Sequence, residues 1–155
     1  MKNLRRKLKN QKGFNLIELM IVIAIIALIV GIGIPGYRAM INNGNETSAV
    51  ASINTIKSLQ LNYASRHKGK FAPNFDELIK SVQLDPGFAG EAPVVNGYIF
   101  KMTVQEGSGS QPALYSINAD PEAGSGTRHF YFDSNLGSTR TTDEERPAKA
   151  DDPSI

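Results

Sequence analysis

The chain has 155 residues, of which 41% are hydrophobic and 21% charged, a length and composition that fit one domain and exclude a polytopic membrane protein and a wholly disordered chain. The absence of cysteine excludes a disulfide framework, thiolate zinc sites and a thiol nucleophile. Six of the seventeen basic residues precede Phe14 and no acid does. The eleven remaining bases and fifteen acids give the chain after Gly13 a charge near −4, so nucleic acid is not an expected partner.

An apolar segment follows this basic leader. Residues 14–34 carry one charge, and as a helix these 21 residues would rise about 31 Å, enough to cross a hydrocarbon core of about 30 Å. By the positive-inside rule the six cations would hold the N-terminus in the cytoplasm and send the rest of the chain outward. A cleaved secretory signal competes with this interpretation, but the run exceeds the usual length of about 7–15 residues and leads to GIGIPG at residues 31–36 instead of a small-x-small site.

Glu18 is the one residue of this segment that a simple membrane anchor does not explain. An ionisable group inside the bilayer costs about 2.5–3.5 kcal/mol on insertion scales, although a position one turn from the interface would let it reach water. A sharper hypothesis requires a cationic partner, and no basic side chain lies between Phe14 and Tyr37. A free α-amine made by cleavage just before Phe14, in the same chain or a neighbour, would supply one.

The sequence KGFNLIE at residues 12–18, placed between a basic leader and an apolar helix, resembles the processing site of type IV prepilins and of the related pseudopilins of type II secretion. The resemblance implies that a prepilin peptidase cuts between Gly13 and Phe14 and that the new Phe14 amine is N-methylated. It also implies that Glu18 neutralises the terminal amine of an adjacent subunit during assembly. Pro35 and Gly36 lie where many family members carry a proline that bends or locally melts the helix, and the missing N–H of Pro35 independently predicts a kink.

Beyond Pro35 the pattern is helical again to about residue 68, with apolar residues every three or four positions. Basic residues and Gly69 then predict the end of the helix, and Asn74 or Asp76 predicts the N-cap of a short second helix. The arrangement of six residues after the long helix also resembles many pilins and pseudopilins: Tyr63, Gly69, Phe71, Pro73, Phe75 and Leu78.

Strand patterns follow at residues 97–104, 113–118 and 128–133, with a short fourth strand expected near 138–141. The predicted fold class is therefore α+β, with a long N-terminal helix, membrane-embedded in its first half, packed by its second half on a small antiparallel sheet of three or four strands, the pilin-like lollipop. The predicted parts are a removed leader (1–13), a transmembrane and filament-core helix (14–36), its amphipathic half (37–68), a globular head (69–141) and a flexible acidic tail (142–155).

No catalytic, cofactor-binding or metal-binding residues are predicted, and an enzyme is not expected. His67 and His129 lack partners at a spacing suited to zinc, and neither a G-x-S-x-G elbow nor a phosphate-binding glycine loop occurs. Some pseudopilins bind calcium in a C-terminal loop, but the acids here lack a spaced ligand pattern and are interpreted as solvated charge. They are Asp120, Glu122, Asp133, Asp143, Glu144, Glu145, Asp151 and Asp152.

The predicted function is a structural subunit of a type IV pilus-like filament. Its expected partners are further copies of itself in a helical homo-oligomer, other pilin-like subunits, the prepilin peptidase, an inner-membrane assembly platform and the lipid bilayer. The expected location is the bacterial inner membrane, crossed once with a cytoplasmic N-terminus, followed by an extracellular or periplasmic filament. A type II secretion pseudopilin is the alternative, and a monotopic membrane-anchored binding protein that keeps residues 1–13 is a more remote one.

Overall fold

The computed structural model describes residues 13–108 and 111–155, so the predicted leader lies outside the described part except for Gly13. Contacts within the chain define two units, Met1–Arg38 and Ala39–Ile155. Helix α1 (Leu16–Arg66) contributes to both. The second unit also contains helix α2 (Phe75–Val82), one 3₁₀ turn (Pro86–Phe88) and a sheet.

The first unit is built from the apolar part of α1. None of the residues that the structure describes buries its apolar side chains, and the segment is long and apolar enough to cross a membrane. Pro35 lies inside α1, and the helix continues through it. The predicted kink at Pro35 and Gly36 is therefore not seen as a break in the helix, and local opening there stays a prediction.

In the second unit, α1 buries one face against the core. The buried positions are separated alternately by three and four residues, which is the period of one helix face. They are Glu46, Ala49, Ile53, Ile56, Gln60 and Tyr63. The helix ends close to its predicted end, where the Gly69 N–H donates to the Ala64 carbonyl over 2.9 Å with φ +80°, as a left-handed cap requires.

The sheet has five antiparallel strands in sequential order. They are β1 (Val94–Val95), β2 (Tyr98–Gln105), β3 (Leu114–Pro121), β4 (His129–Asp133) and β5 (Thr139–Thr142). The predicted α+β fold with an antiparallel sheet is confirmed, and β1 is an additional short strand. It forms because Asn96 and Gly97, with φ of 50° and 76°, make the two-residue turn that an Asn-Gly hairpin requires.

The core lies between the buried face of α1, helix α2 and one face of the sheet. Alternate residues of the strands point into it, and the largest fully buried side chains include Tyr98, Phe100 and Phe130. Asn74 caps α2 as predicted, because its side-chain oxygen accepts a hydrogen bond of 2.9 Å from the Glu77 N–H.

Residues 142–155 are not the flexible tail that the sequence predicts. Ala148 and Asp152 are buried, and the chain returns along β5, where the Thr141 N–H donates to the Pro153 carbonyl over 2.9 Å. At the terminus the Ile155 N–H donates to the Thr139 carbonyl over 3.0 Å. Composition misled the prediction because this segment has little apolar surface to bury and is held mainly by side-chain and backbone hydrogen bonds.

Candidate functional site

Gly13 and Phe14 precede the first turn of α1 and are both exposed. No atom of the described residues lies within 4 Å of the position that a side chain at Gly13 would occupy, and its backbone is not left-handed. The described part of the fold therefore does not require glycine at this position. Cleavage between these residues and methylation of Phe14 stay predictions.

Glu18 lies in the first turn of α1, where it caps the helix. The Asn15 backbone N–H donates to a Glu18 carboxylate oxygen over 3.0 Å, and the Asn15 side-chain oxygen accepts from the Ile17 N–H over 3.4 Å. This reciprocal arrangement is a capping box, and the positive end of the helix dipole favours the carboxylate further. The sequence analysis considered only a cationic partner for Glu18 and missed the Asn15 backbone N–H. The signal was present, because Asn followed three residues later by Glu is typical of a capping box.

The apolar surface of the first unit surrounds the helix instead of forming one stripe. All fifteen large apolar side chains between Phe14 and Ile34 are 47–87% exposed. A helix that is apolar on all sides is stable only when lipid or protein covers it.

Glu46 is the residue of the second unit whose role the sequence analysis missed. It is 3% exposed, and one carboxylate oxygen accepts from the Thr127 N–H and hydroxyl at 3.1 Å each. The other accepts from the Arg128 Nε over 2.7 Å. Burial alone would raise the pKa of Glu46, but these hydrogen bonds and the charge of Arg128 outweigh it and lower the pKa below its usual value.

The β3–β4 loop around Thr127 fits closely against the rest of the second unit. The Asn45 side-chain amide donates to the Ser125 carbonyl over 2.8 Å, and the Tyr98 hydroxyl donates to the Arg128 carbonyl over 2.9 Å. A side chain at Gly126 would begin 2.4 Å from the Tyr98 hydroxyl, so glycine is needed for this close approach. The loop is therefore fixed to α1 on one side and to β2 on the other.

The C-terminal segment is closed by an ion pair. Two Arg146 nitrogens donate to the two Asp152 carboxylate oxygens over 2.9 and 2.6 Å, and the Lys149 N–H donates to the same carboxylate over 2.7 Å. The Arg146 guanidinium, together with this N–H, lowers the pKa of Asp152 to about 2. A bidentate ion pair thus closes a loop in a chain that has no cysteine.

This ion pair predicts an acid-sensitive C-terminal segment. Because the pKa of Asp152 is lower in the folded chain than in the unfolded one, its stabilisation is present above about pH 4 and is lost as the pH falls towards 2. We expect the melting temperature of the full chain in detergent to fall over that range, and Asp152→Asn to melt lower at pH 7 but to decline less below pH 4. Equal pH dependence of the two proteins would contradict the role of the ion pair.

The two histidines are engaged within the second unit. His67 stacks on Tyr63 with ring centroids 3.8 Å apart, and the His129 Nδ1 lies 2.6 Å from an Asp120 carboxylate oxygen. Within residues 13–108 and 111–155, no group of three or more His, Asp or Glu side chains is placed to hold a metal ion. The absence of metal, cofactor and catalytic sites stays a prediction.

Comparison with known proteins adds a family to these observations. Residues 8–34 match the family described as the prokaryotic N-terminal methylation motif. The chain is 45% identical over 51 residues to a fimbrial protein of Pseudomonas aeruginosa, 33% of each chain. It is 43% identical over 56 residues to the type IV wide pilus major component PilA4 of Thermus thermophilus (36% of this chain, 43% of the relative), and 34% identical over 105 residues to the fimbrial protein EcpC of Eikenella corrodens (67% and 60%).

The class is therefore that of proteins with a prokaryotic N-terminal methylation motif. Within that class, the predicted resemblance to the type IV pilin family is confirmed, and that family consists of structural subunits, not enzymes. The chain spans only 33% of the length of the Pseudomonas protein and 60% of the Eikenella protein. No solved structure matches the chain.

Proposed function

We propose that the chain is a structural subunit of a type IV pilus-like filament, processed between Gly13 and Phe14 and assembled through the apolar part of α1. The observation that carries this proposal is the exposure of fifteen large apolar side chains from Phe14 to Ile34, inside the segment, residues 8–34, that matches the methylation motif. Leaving them in water would cost on the order of 20–45 kcal/mol, since each buried side chain contributes about 1.5–3 kcal/mol. Lipid covers this surface before assembly, and copies of the same helix cover it afterwards.

The charge of the leader supports a membrane orientation for the precursor. Six cations before Phe14 hold the N-terminus on the cytoplasmic side of the inner membrane, where the prepilin peptidase acts on the Gly13–Phe14 bond. The rest of the chain lies outside the cytoplasm. An inner-membrane assembly platform then transfers the subunit into the filament, so that the apolar helix never meets water.

Glu18 sets the register of neighbouring helices in this proposal. In the filament core its carboxylate lies in dry surroundings and is strongly penalised unless it meets a positive charge. The Phe14 amine of an adjacent subunit supplies that charge at one axial stagger. The capping hydrogen bond from Asn15 supports this assignment, because it holds the carboxylate at the N-terminal end of the helix, near the residue that becomes the new terminus.

Fibres sheared from cells test the proposal, by electron microscopy together with mass spectrometry of their subunits. Surface fibres composed of a chain that begins with methylated Phe14 are expected. A short periplasmic filament made only when a secretion system operates would identify the alternative, a type II secretion pseudopilin. A lone chain that retains Met1 would contradict both and would favour a monotopic binding protein.

Replacing Gly13 by aspartate is expected to block maturation. No atom of residues 13–108 or 111–155 lies against this position, so the substitution leaves the described fold intact and is expected to act on the enzyme that must approach the bond. Most of the protein should stay at the mass of the precursor, heavier by residues 1–13, as intact mass spectrometry of membrane extracts would measure. Gln11→Asp is the control, because it places the same charge two residues earlier in the leader and should be processed. Normal processing of Gly13→Asp would count against the cleavage assignment.

A further inference from the structure

The C-terminal end of α1 and the loop that follows it line a cleft of about 840 Å³ in the second unit. Arg66, Lys68 and Lys70 line it and are exposed, and we call these three residues and the space they surround the basic cleft. None of the three forms an ion pair with any residue in 13–108 or 111–155. Glu106 is the acid among the lining residues, so the cleft keeps a net positive charge.

The charge of the basic cleft exceeds what the helix end requires. A helix C-terminus is equivalent to about half a negative charge, whereas the cleft brings three full positive charges within five residues. The unit around it is acidic, with ten bases against fourteen acids in residues 39–155. Three neighbouring cations with no acid paired to them repel one another, and an external anionic partner would remove that repulsion.

The opposite end of the sheet carries exposed acids. The register pairs Tyr98 with Pro121 and His129 with Thr142, so the chain leaves β3 and β5 at the same end. The exposed acids that follow these strands are Glu122, Asp143, Glu144 and Glu145, which we call the acidic end.

The basic cleft lies at the other end of the same sheet. There the register pairs Gln105 with Leu114, and Val104 and Ala113, next to them in the chain, line the cleft. The length of the β2–β3 ladder, eight residues or about 25 Å, therefore separates the two charged surfaces of one copy. Two arginines near the acidic end already form ion pairs within the chain. Arg128 pairs with Glu46, and Arg146 pairs with Glu144 and Asp152.

We propose that the basic cleft of one copy receives the acidic end of a second copy. Two basic clefts cannot face each other without repulsion, and neither can two acidic ends, so charge favours a contact between unlike ends of two copies. In the proposed filament this contact is heterologous, and it repeats from copy to copy along the helical arrangement. The inference rests on the proposed filament and adds a second, polar contact to the apolar one, located in the second unit and formed by charge complementarity.

Charge reversal tests this contact in cells that express the full chain. Lys68→Glu with Lys70→Glu replaces attraction by repulsion and is expected to lower the yield of sheared filaments by at least about tenfold. Adding Asp143→Lys and Glu145→Lys to the same chain restores the complementarity with reversed sign. We expect this quadruple variant to recover at least half of the wild-type yield, which a merely structural role of the lysines would not produce.

The control is Lys80→Glu with Lys101→Glu, which changes the net charge equally at exposed positions outside the cleft and should assemble normally. The level and melting temperature of the processed subunit in membranes verify that each variant folds. Normal filaments from the Lys68→Glu, Lys70→Glu chain, or no recovery in a folded quadruple variant, would overturn the contact while leaving the proposed function in place. A wild-type chain that never forms filaments would overturn the proposed function and the contact together.

Discussion

Glu18→Val is expected to leave membrane insertion intact and to lower filament yield by about two to four orders of magnitude. Valine is better tolerated in a bilayer than a carboxylate, so the fraction of protein resistant to alkaline extraction should not fall. In the proposed filament, however, the substitution would leave the Phe14 amine of a neighbouring subunit buried without a counter-charge. Breaking a buried pair costs about 3–5 kcal/mol, and each 1.4 kcal/mol is a factor of ten.

The capping hydrogen bond seen in the structure makes a sharper pair of variants possible. Glu18→Gln keeps an oxygen that can accept from the Asn15 N–H, because a capping box functions with either Glu or Gln, but it removes the charge. If Glu18 only caps the helix, the glutamine variant should assemble like the wild type. If it pairs with the amine of a neighbour, the glutamine variant should fail nearly as completely as valine.

The measurement is the ratio of subunit in sheared fibres to subunit in membranes, quantified by immunoblot. Ile17→Val serves as the control, since it changes the same helical turn without altering charge or capping. Normal fibre yield from Glu18→Val would refute the register role of this residue. Loss of insertion would instead show that the change acts before assembly.

The first unit could be predicted from the sequence because its signals are local. An unbroken apolar run of this length predicts a helix covered by lipid or protein without knowledge of the rest of the chain. The KGFNLIE motif can be recognised because its residues are consecutive. The strands were predictable for the same reason, since each alternates over a few residues. The Asn-Gly signal for the hairpin before β2 was present at residues 96–97 and was missed.

The polar contacts of the second unit could not be predicted because they join residues far apart in the chain. Glu46 and Gln60 occupy positions on the buried face of α1 that periodicity assigns to apolar side chains. Gln60 is satisfied by the backbone of Ala72, accepting from its N–H over 2.8 Å and donating to its carbonyl over 3.1 Å. A polar residue at an apolar position of the stripe was the only available signal, and it identifies the residue without identifying its partner.

The C-terminal segment shows the same limit. Its composition has few residues that could bury apolar surface, and disorder was the reasonable expectation. The segment is ordered instead by Arg146, which meets Asp152 six residues later, and by backbone hydrogen bonds to β5. Such pairs depend on the path of the chain between them, and composition contains no information about that path.

Glu46→Ala is expected to lower the free energy of unfolding of the second unit by about 2–3 kcal/mol. The substitution removes the acceptor for the Thr127 N–H and hydroxyl and for the Arg128 guanidinium, and so leaves Asn45 as the side chain of α1 that holds the β3–β4 loop. The expected loss lies below the full range for a broken buried pair because the Arg128 side chain is 44% exposed and can be hydrated once Glu46 is gone. The lost hydrogen bonds of Thr127 account for the remainder.

Denaturant unfolding of the purified full chain, followed by tyrosine fluorescence, measures this effect separately from the apolar helix. Four of the five tyrosines lie in the second unit, so the signal reports on that unit even where detergent keeps the first one helical. Glu122→Ala removes an exposed acid from the same loop and should change stability by less than about 0.5 kcal/mol. Glu46→Gln should fall between the two, because it keeps an acceptor for Thr127 but sets its amide hydrogens against the Arg128 donor. If Glu46→Ala and Glu122→Ala had the same free energy of unfolding, the buried carboxylate would contribute nothing to stability. The hydrogen bonds of Tyr98 and Asn45 would then have to hold the loop.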